Sequence, residues 1–439
     1  MTVAEVWSVQ RRTLRVLVAS QVLGGVGVAS GIAVGGLLAA QLQGSATAAG
    51  VAQACTTIGA ALFALPLARM MSRHGRRPGL ATGYGLGVAG AVCVLVAAQT
   101  HALWLLLLGM SLFGGGSTSN QQARYAATDL AAPTRRGRAL SVVMWATTIG
   151  AVIGPNLADP GARVADAIGL RQLAGSFLFS VVAYGLAAGT LWLALRPDPL
   201  LTARSARWGG AVNAGLPRRL GLGAALRLVT ASRTGLLGLV AVVVSHTVMV
   251  GVMVMTPVHM GEHEATLRVI GLVIGVHILG MYAFSPVVGW CADRFGRVWV
   301  VLAGAMVLLA ATGVAGTAPE HGSAQLGVGL FLLGVGWSCG LVAGSTLLTE
   351  SVSAAARPGV QGSTDLLMGL VAGLGGLAAG PVVAGPGYPT LNLLAALVVL
   401  PMAMLAVVML RSGPSWPLPG DPTPMTPGMA QGVATGETS

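Results

Sequence analysis

The sequence contains no lysine; all 25 of its basic residues are arginine. Charge of either sign is scarce, at 9% of residues, with 13 acidic side chains against those 25 arginines. A soluble domain of 439 residues needs a far more charged surface, so a soluble globular protein is excluded. Cysteine is rare as well. Cys55, Cys93, Cys291 and Cys339 lie within or beside apolar runs, which argues against a disulfide framework. Phosphate-binding Walker loops, His-Glu-x-x-His helices and nucleophile elbows are all missing, so enzymatic activity is not expected and no prosthetic group is implied. Acidic residues also avoid the middles of the apolar runs. Asp129, Glu350 and Asp365 are expected near one set of ends, and Asp159, Asp166, Glu262, Glu264 and Glu320 in the loops at the other. A transporter of organic cations, or a proton symporter with a carboxylate at mid-depth, would break that pattern.

What is present is hydrophobic. Apolar residues make up 54% of the chain, with mean hydropathy +0.78. They fall into twelve runs, each near the ~20 residues that cross a bilayer. The runs cover 14–40, 46–71, 80–98, 102–126, 139–158 and 173–195, then 234–258, 269–291, 298–316, 324–349, 360–383 and 391–410. Arg163, Arg171 and Arg268 occupy one set of connecting loops, and the other 22 arginines occupy the alternate set. The positive-inside rule predicts both termini and the long middle loop in the cytoplasm. Those arginines flank membrane spans, so they mark orientation in the lipid bilayer rather than a nucleic-acid surface. The first run lacks a cleavage pattern and is followed by further spans, unlike a signal peptide.

The expected architecture is an all-α membrane protein of twelve helices, in two six-helix bundles related by pseudo-two-fold symmetry. Residues 1–196 form the first bundle, 197–232 a cytoplasmic linker, 233–411 the second bundle and 412–439 a Pro- and Gly-rich disordered tail. Each half repeats the same phrases. Gly75-Arg76-Arg77 follows the second run, and Gly289-x-x-x-Asp293-Arg294-x-Gly296-Arg297 follows the eighth. Gly150-x-x-x-Gly154-Pro155 in the fifth is echoed by Gly376-x-x-x-Gly380-Pro381 in the eleventh. Repeated halves fit two bundles that rock about a central site. Gly24, Gly27, Gly31 and Gly35 give the first span a small-residue face for close packing.

The second loop phrase is a full match to the G-x-x-x-D-R-x-G-R pattern of the major facilitator superfamily, and the chain resembles that family over nearly its whole length. The resemblance implies a cytoplasmic latch that holds the bundles together in the outward-facing state. Its residues here are Arg73, Gly75, Arg76 and Arg77 in the first copy and Gly289, Asp293, Arg294, Gly296 and Arg297 in the second. The first copy departs from the pattern, with Ala68 at the leading glycine and Ser72 at the acid, so Arg76 and Arg77 are expected to turn to Asp129 instead.

Sulfur and imidazole concentrate on the seventh and eighth runs. His246, Met249, Met253 and Met260 recur at helical spacing, as do His277 and Met281 on the next run. Counting from the outer ends puts Met249 level with His277, and His246 level with Met281. Thioethers and imidazole are neutral, soft and individually weak ligands, suited to Cu(I) and to an ion that must leave again. Core packing is the competing explanation for methionine in an apolar helix.

Met249-x-x-x-Met253 and His277-x-x-x-Met281, with the stretch Asn120-Gln121-Gln122-Ala123-Arg124-Tyr125-Ala126, resemble the CcoA-type copper importers of the CalT branch of the superfamily. That resemblance implies copper import across a bacterial inner membrane, feeding the binuclear centre of a cbb3-type cytochrome c oxidase. It makes Met249, Met253, His277 and Met281 the copper-binding set, with a periplasmic donor and a cytoplasmic chaperone as partners. Periodicity and position add His246, His259, Met260 and His263 as a metal path. Two rival cargoes remain open. Ser117 to Gln122 with Trp145, Tyr184 or Trp337 would suit an organic solute such as riboflavin, and the Gly150–Pro155 phrase resembles part of a drug-antiporter motif.

Overall fold

The computed structural model describes residues 3–43, 46–206, 221–264, 267–319 and 322–411. Residues 207–220 of the expected linker, the expected tail at 412–439 and Glu320 lie outside the described residues. Among the described residues there are helices and no strand. In chain order they are α1 (Val3–Gln43), α2 (Ala46–His74), α3 (Arg76–Thr100), α4 (Leu103–Ala126), α5 (Arg136–Asn156), α6 (Ala158–Ala167), α7 (Gly175–Ala194) and α8 (Pro199–Ala206). There follow α9 (Leu222–Thr230), α10 (Arg233–Glu262), α11 (Leu267–Tyr282), α12 (Ser285–Phe295), α13 (Arg297–Gly316), α14 (Ser323–Ser351), α15 (Arg357–Ala384) and α16 (Tyr388–Arg411).

Eleven helical stretches among the described residues are long and apolar enough to cross a membrane. The fourth run, α4, is as long as its neighbours, but its second half carries Ser117 to Arg124 and lowers its hydropathy. Those polar side chains work between helices. Thr118 Oγ1 donates to the Ala60 carbonyl at 2.7 Å, Ser119 Oγ to Leu80 at 2.9 Å and Gln122 Nε2 to Ala64 at 3.0 Å. Buried hydrogen bonds of this kind hold membrane helices together for roughly 0.6 kcal/mol each.

Apolar side chains gather into two cores. One lies between Val16 and Leu195; the other lies between Ala225 and Ala406, joined by Leu140 and Met144 from α5. The glycine face of α1 does close-packing work, as its spacing predicts. Tyr84 lies on Gly24, Tyr184 on Gly27, Phe113 on Gly31 and Met110 on Gly35. A methyl group at Gly27 would stand 2.7 Å from the Tyr184 ring, so only glycine admits the aromatic there. Tyr184 is therefore core, whereas Trp145 of α5 is 40% exposed.

The eighth run is one span made of two helices. Pro286 has no N–H and its ring opposes a continuous helix, so α11 stops at Tyr282 and α12 starts at Ser285. Ser285 Oγ donates to the orphaned Tyr282 carbonyl at 2.7 Å, and lies 3.0 Å from the Ser141 carbonyl of α5. The seventh run also differs from expectation. α10 continues to Glu262 through the segment expected to be an outer loop, since Pro257 falls inside the helix without ending it.

The two halves meet chiefly where α2 packs on α15 and α5 packs on α12. Gly362 of α15 abuts Ala68, and Gly137 of α5 abuts the Gly289 carbonyl. Further along α15, a Cβ at Gly373 or Gly380 would meet nothing within 4 Å. The contacts between halves thus concentrate at the arginine-rich end of the bundle.

Candidate functional site

Two groups of side chains are the candidates for function, one at the arginine-rich end and one within the second half. At the arginine-rich end, Gly75 and Gly296 occupy equivalent turns with φ of +92° and +103°, a region that favours glycine. Each turn aims the following arginine inward. Arg76 grips Asp129 with two nitrogens, at 2.8 and 3.1 Å, and reaches Gln361 of α15 at 2.7 Å. Arg297 lies 3.2 Å from Asp293 and 3.1 Å from Glu350, and also donates to the Pro133 carbonyl. Arg136 of α5 completes the group at 3.5 Å from Glu350.

Asp293 crosses between the halves. Its carboxylate accepts the backbone N–H groups of Gly137 at 3.0 Å and Arg138 at 2.8 Å, the free N–H groups of the first turn of α5. A negative charge at a helix N-terminus is favourable on electrostatic grounds too. The first copy of the phrase has no such group. Ser72 Oγ turns back to the Arg69 carbonyl of its own helix, and Arg204 of α8 bridges the Ser72 and Ala355 carbonyls at 2.9 and 3.4 Å. Arg77 does not join Asp129 as expected. Its backbone N–H donates to Asp198 at 2.8 Å and its guanidinium covers the Trp192 ring, because Asp198 arrives from the linker to cap α3 and α8 together. Arg73 and Arg294 are exposed.

Asp365 lies deeper than its sequence position predicts. α15 starts at Arg357, ahead of the apolar run, so Asp365 stands eight residues inside the helix, about 12 Å along its axis. Sequence reasoning missed its partner. Arg124 of α4 meets it at 2.8 Å.

The sulfur and imidazole residues of the second half are mostly buried. His277 has no exposure; Met249, Met260 and Met281 are buried in the second core, and Met253 packs against it half-buried. His277 Nδ1 pairs with the Leu330 carbonyl at 2.7 Å, so the ring proton belongs on Nδ1. Nε2 then carries a lone pair and has no partner. The expected face-to-face pairing of the seventh and eighth runs is not what forms. α14 packs on both, with Gly344 against Gly238 of α10 and Gly334 against the His277 carbonyl of α11, while α10 and α11 touch over a short stretch. Small residues let α14 approach closely and so decide the arrangement. Among the described residues, no three His, Cys, Asp or Glu side chains gather around one point to hold a metal ion.

His246 has a different neighbour. Its Nδ1 accepts the indole N–H of Trp337 at 3.0 Å, and Trp337 meets Tyr282 edge-on at 5.4 Å. His259 stacks on Tyr388 with centroids 4.4 Å apart and lies 4.5 Å from the His263 ring, at the end opposite the arginines.

Comparison with known proteins agrees with this architecture. The chain is 40% identical to the uncharacterized MFS-type transporter YddS of Bacillus subtilis, over 91% of this chain and 90% of that one. It is 28% identical to the riboflavin transporter RfnT of Brucella anthropi, over 91% and 94% of the two chains. Among solved structures, the human organic anion transporter MFSD10 superposes with a TM-score of 0.72 at 17% identity, covering 90% of this chain and 99% of that one. The family model described as Major Facilitator Superfamily matches residues 16–264 and 237–431. With its broken eighth span, its repeated glycine–arginine turns and this likeness along its length, the chain belongs to the Major Facilitator Superfamily.

Proposed function

We propose that this transporter imports copper across a bacterial inner membrane by alternating access, and that Met249, Met253, His277 and Met281 bind the ion. The arginine-rich end is the cytoplasmic end in this reading, with both termini on that side. Contacts concentrated there correspond to the outward-facing state, and Asp293 with Arg297 forms its latch. The observation that carries the cargo assignment is His277. A fully buried imidazole with Nδ1 tied to a carbonyl and Nε2 bare is arranged as metal-binding histidines are, oriented through the nitrogen that does not bind. Met281 lies one helical turn further along the same helix, and buried thioethers of α10 belong to the same core. Such a donor set favours Cu(I) over zinc or iron. His246, His259, Met260 and His263 form the path by which copper enters and leaves, and delivery toward a cbb3-type oxidase follows from the resemblance of the paired motifs.

A specific observation favours a second reading. Trp337, His246 and Tyr282 form an aromatic group that suits a flat organic solute, and a relative along most of the chain is named as a riboflavin transporter. Uptake of copper and of riboflavin, measured side by side in cells making each variant, separates the two. His277→Ala and the double variant Met249→Leu/Met253→Leu are expected to stop copper uptake with the protein still in the membrane. Normal copper uptake by both variants, with riboflavin uptake lost in Trp337→Ala, would hand the site to the organic solute.

A further inference from the structure

Arg124 and Asp365 form an ion pair between the two halves, with side chains only 3% and 5% exposed. Arg124 comes from the last turn of α4, and Asp365 from two turns inside α15. All the bonding falls on one carboxylate oxygen. Oδ1 accepts Arg124 Nη2 at 2.8 Å and the Tyr125 hydroxyl at 3.2 Å, while Oδ2 is buried without a partner. The charged and titratable groups facing the pair are Tyr125 of α4 and Arg76 of α3 on the Asp365 side, with Tyr282 of α11 and His246 of α10 on the Arg124 side.

Opening the arginine-rich end requires α4 and α15 to part. Separation leaves a bare carboxylate and a bare guanidinium, each of which costs several kcal/mol in a low-dielectric interior. A proton on Oδ2 removes the carboxylate's share of that obstacle without disturbing either bond at Oδ1 in advance. We propose that Asp365 is the proton-binding carboxylate that couples this transporter to the proton gradient. Protonation at Oδ2 neutralises the carboxyl group, the hold on Arg124 is released, and the arginine-rich end opens. Loss of the proton to water restores the carboxylate, which recaptures Arg124 and closes that end. The chemistry is one O–H bond made and broken, with hydronium as proton donor and water as acceptor. It does not depend on which solute the transporter carries.

The test needs no solute. Nitroxide labels at the exposed His74 and Arg411, one in each half, report the separation of the halves by pulsed-dipolar distances in lipid nanodiscs from pH 8 to pH 5. The wild type is expected to move toward the longer distance as pH falls, by up to about tenfold in population ratio per pH unit, the limit for one proton. Asp365→Asn is expected to favour the long distance at every pH, with a flat profile. Asp365→Glu retains a pH response. Tyr125→Phe removes a donor to the charged carboxylate, so its midpoint moves to higher pH. A full pH response in Asp365→Asn overturns the assignment and moves it to Asp129, Asp293, Glu350 or His246. Should that variant not fold, an unmoved midpoint in Tyr125→Phe overturns it equally. Failure of copper uptake elsewhere leaves these distances unaffected, so the two proposals stand or fall apart.

Discussion

Replacing Asp293 with asparagine tests the latch at its most informative atom pair. The carboxylate gives one oxygen to Gly137 N–H and the other to Arg138 N–H. Asparagine keeps one acceptor and turns an amide N–H₂ toward the second backbone N–H, so one charge-assisted bond is lost. Bonds to charged groups contribute ~1.5–3 kcal/mol when well buried. Asp293 is partly open to solvent, so about 1 kcal/mol is the fitting figure here. Loss of the negative charge beside the first turn of α5 removes a further ~0.5–1 kcal/mol. The sum is about 2 kcal/mol in favour of separated halves, or roughly 30-fold in the ratio of the two states. Distances between labels at His74 and Arg411, at a fixed pH of 8, read that ratio directly. Ser72→Ala is the matched control, since Ser72 Oγ bonds only within its own helix turn and should leave the distribution alone. An unchanged distribution in Asp293→Asn, or an equal shift in Ser72→Ala, would refute the latch.

Further outcomes follow from packing and charge. Arg76→Gln leaves the buried Asp129 carboxylate without its cation and is expected to cost ~3–5 kcal/mol, seen as a large fall in folded yield or melting temperature in detergent. Gly27→Ala forces the Tyr184 ring to move and is expected to destabilise by ~1–3 kcal/mol, whereas Gly185→Ala, where a methyl group meets open space, should melt like the wild type. His263→Ala should slow copper uptake at low copper and leave it near normal at high copper. Reporter fusions following Ser412 are expected to read cytoplasmic; a periplasmic reading would reverse the orientation on which import depends.

The helical architecture was readable because a membrane span is a run of apolar residues and needs no partner to be recognised. α4 was found by length even though its polar half sits below the hydropathy of the others. The Gly27 and Gly31 face was readable for the same reason, since spacing alone puts those residues on one side. Contacts between distant segments were not readable. That Arg77 turns to Asp198, that Arg204 binds the carbonyl of Ser72 where the acid of the pattern is missing, and that α14 packs against both α10 and α11 depend on the placement of whole helices. The Arg124–Asp365 pair had a signal that could have found it. A carboxylate inside an apolar helix implies a cation opposite, and Arg124 ends the polar half of α4. The break at Pro286 had a plain signal too, a proline in the middle of an apolar run.

That break changes how movement can travel through the eighth span. A continuous helix behaves as a stiff rod, so any tilt of its inner end would drag its outer end by a proportional arc. Here the outer segment, α11, is anchored on α14 through Gly280, Gly334 and the His277–Leu330 bond. The inner segment, α12, grips α5 through Gly289 and Asp293. The joint between them lies at Ala283 and Phe284, two residues past Met281. The inner segment can therefore pivot with the opposite half while His277 keeps its position, and the first residue to feel the pivot is Met281. A bound ion would lose the ligand nearest the joint first, which gives release a direction: it begins on the side that has just opened.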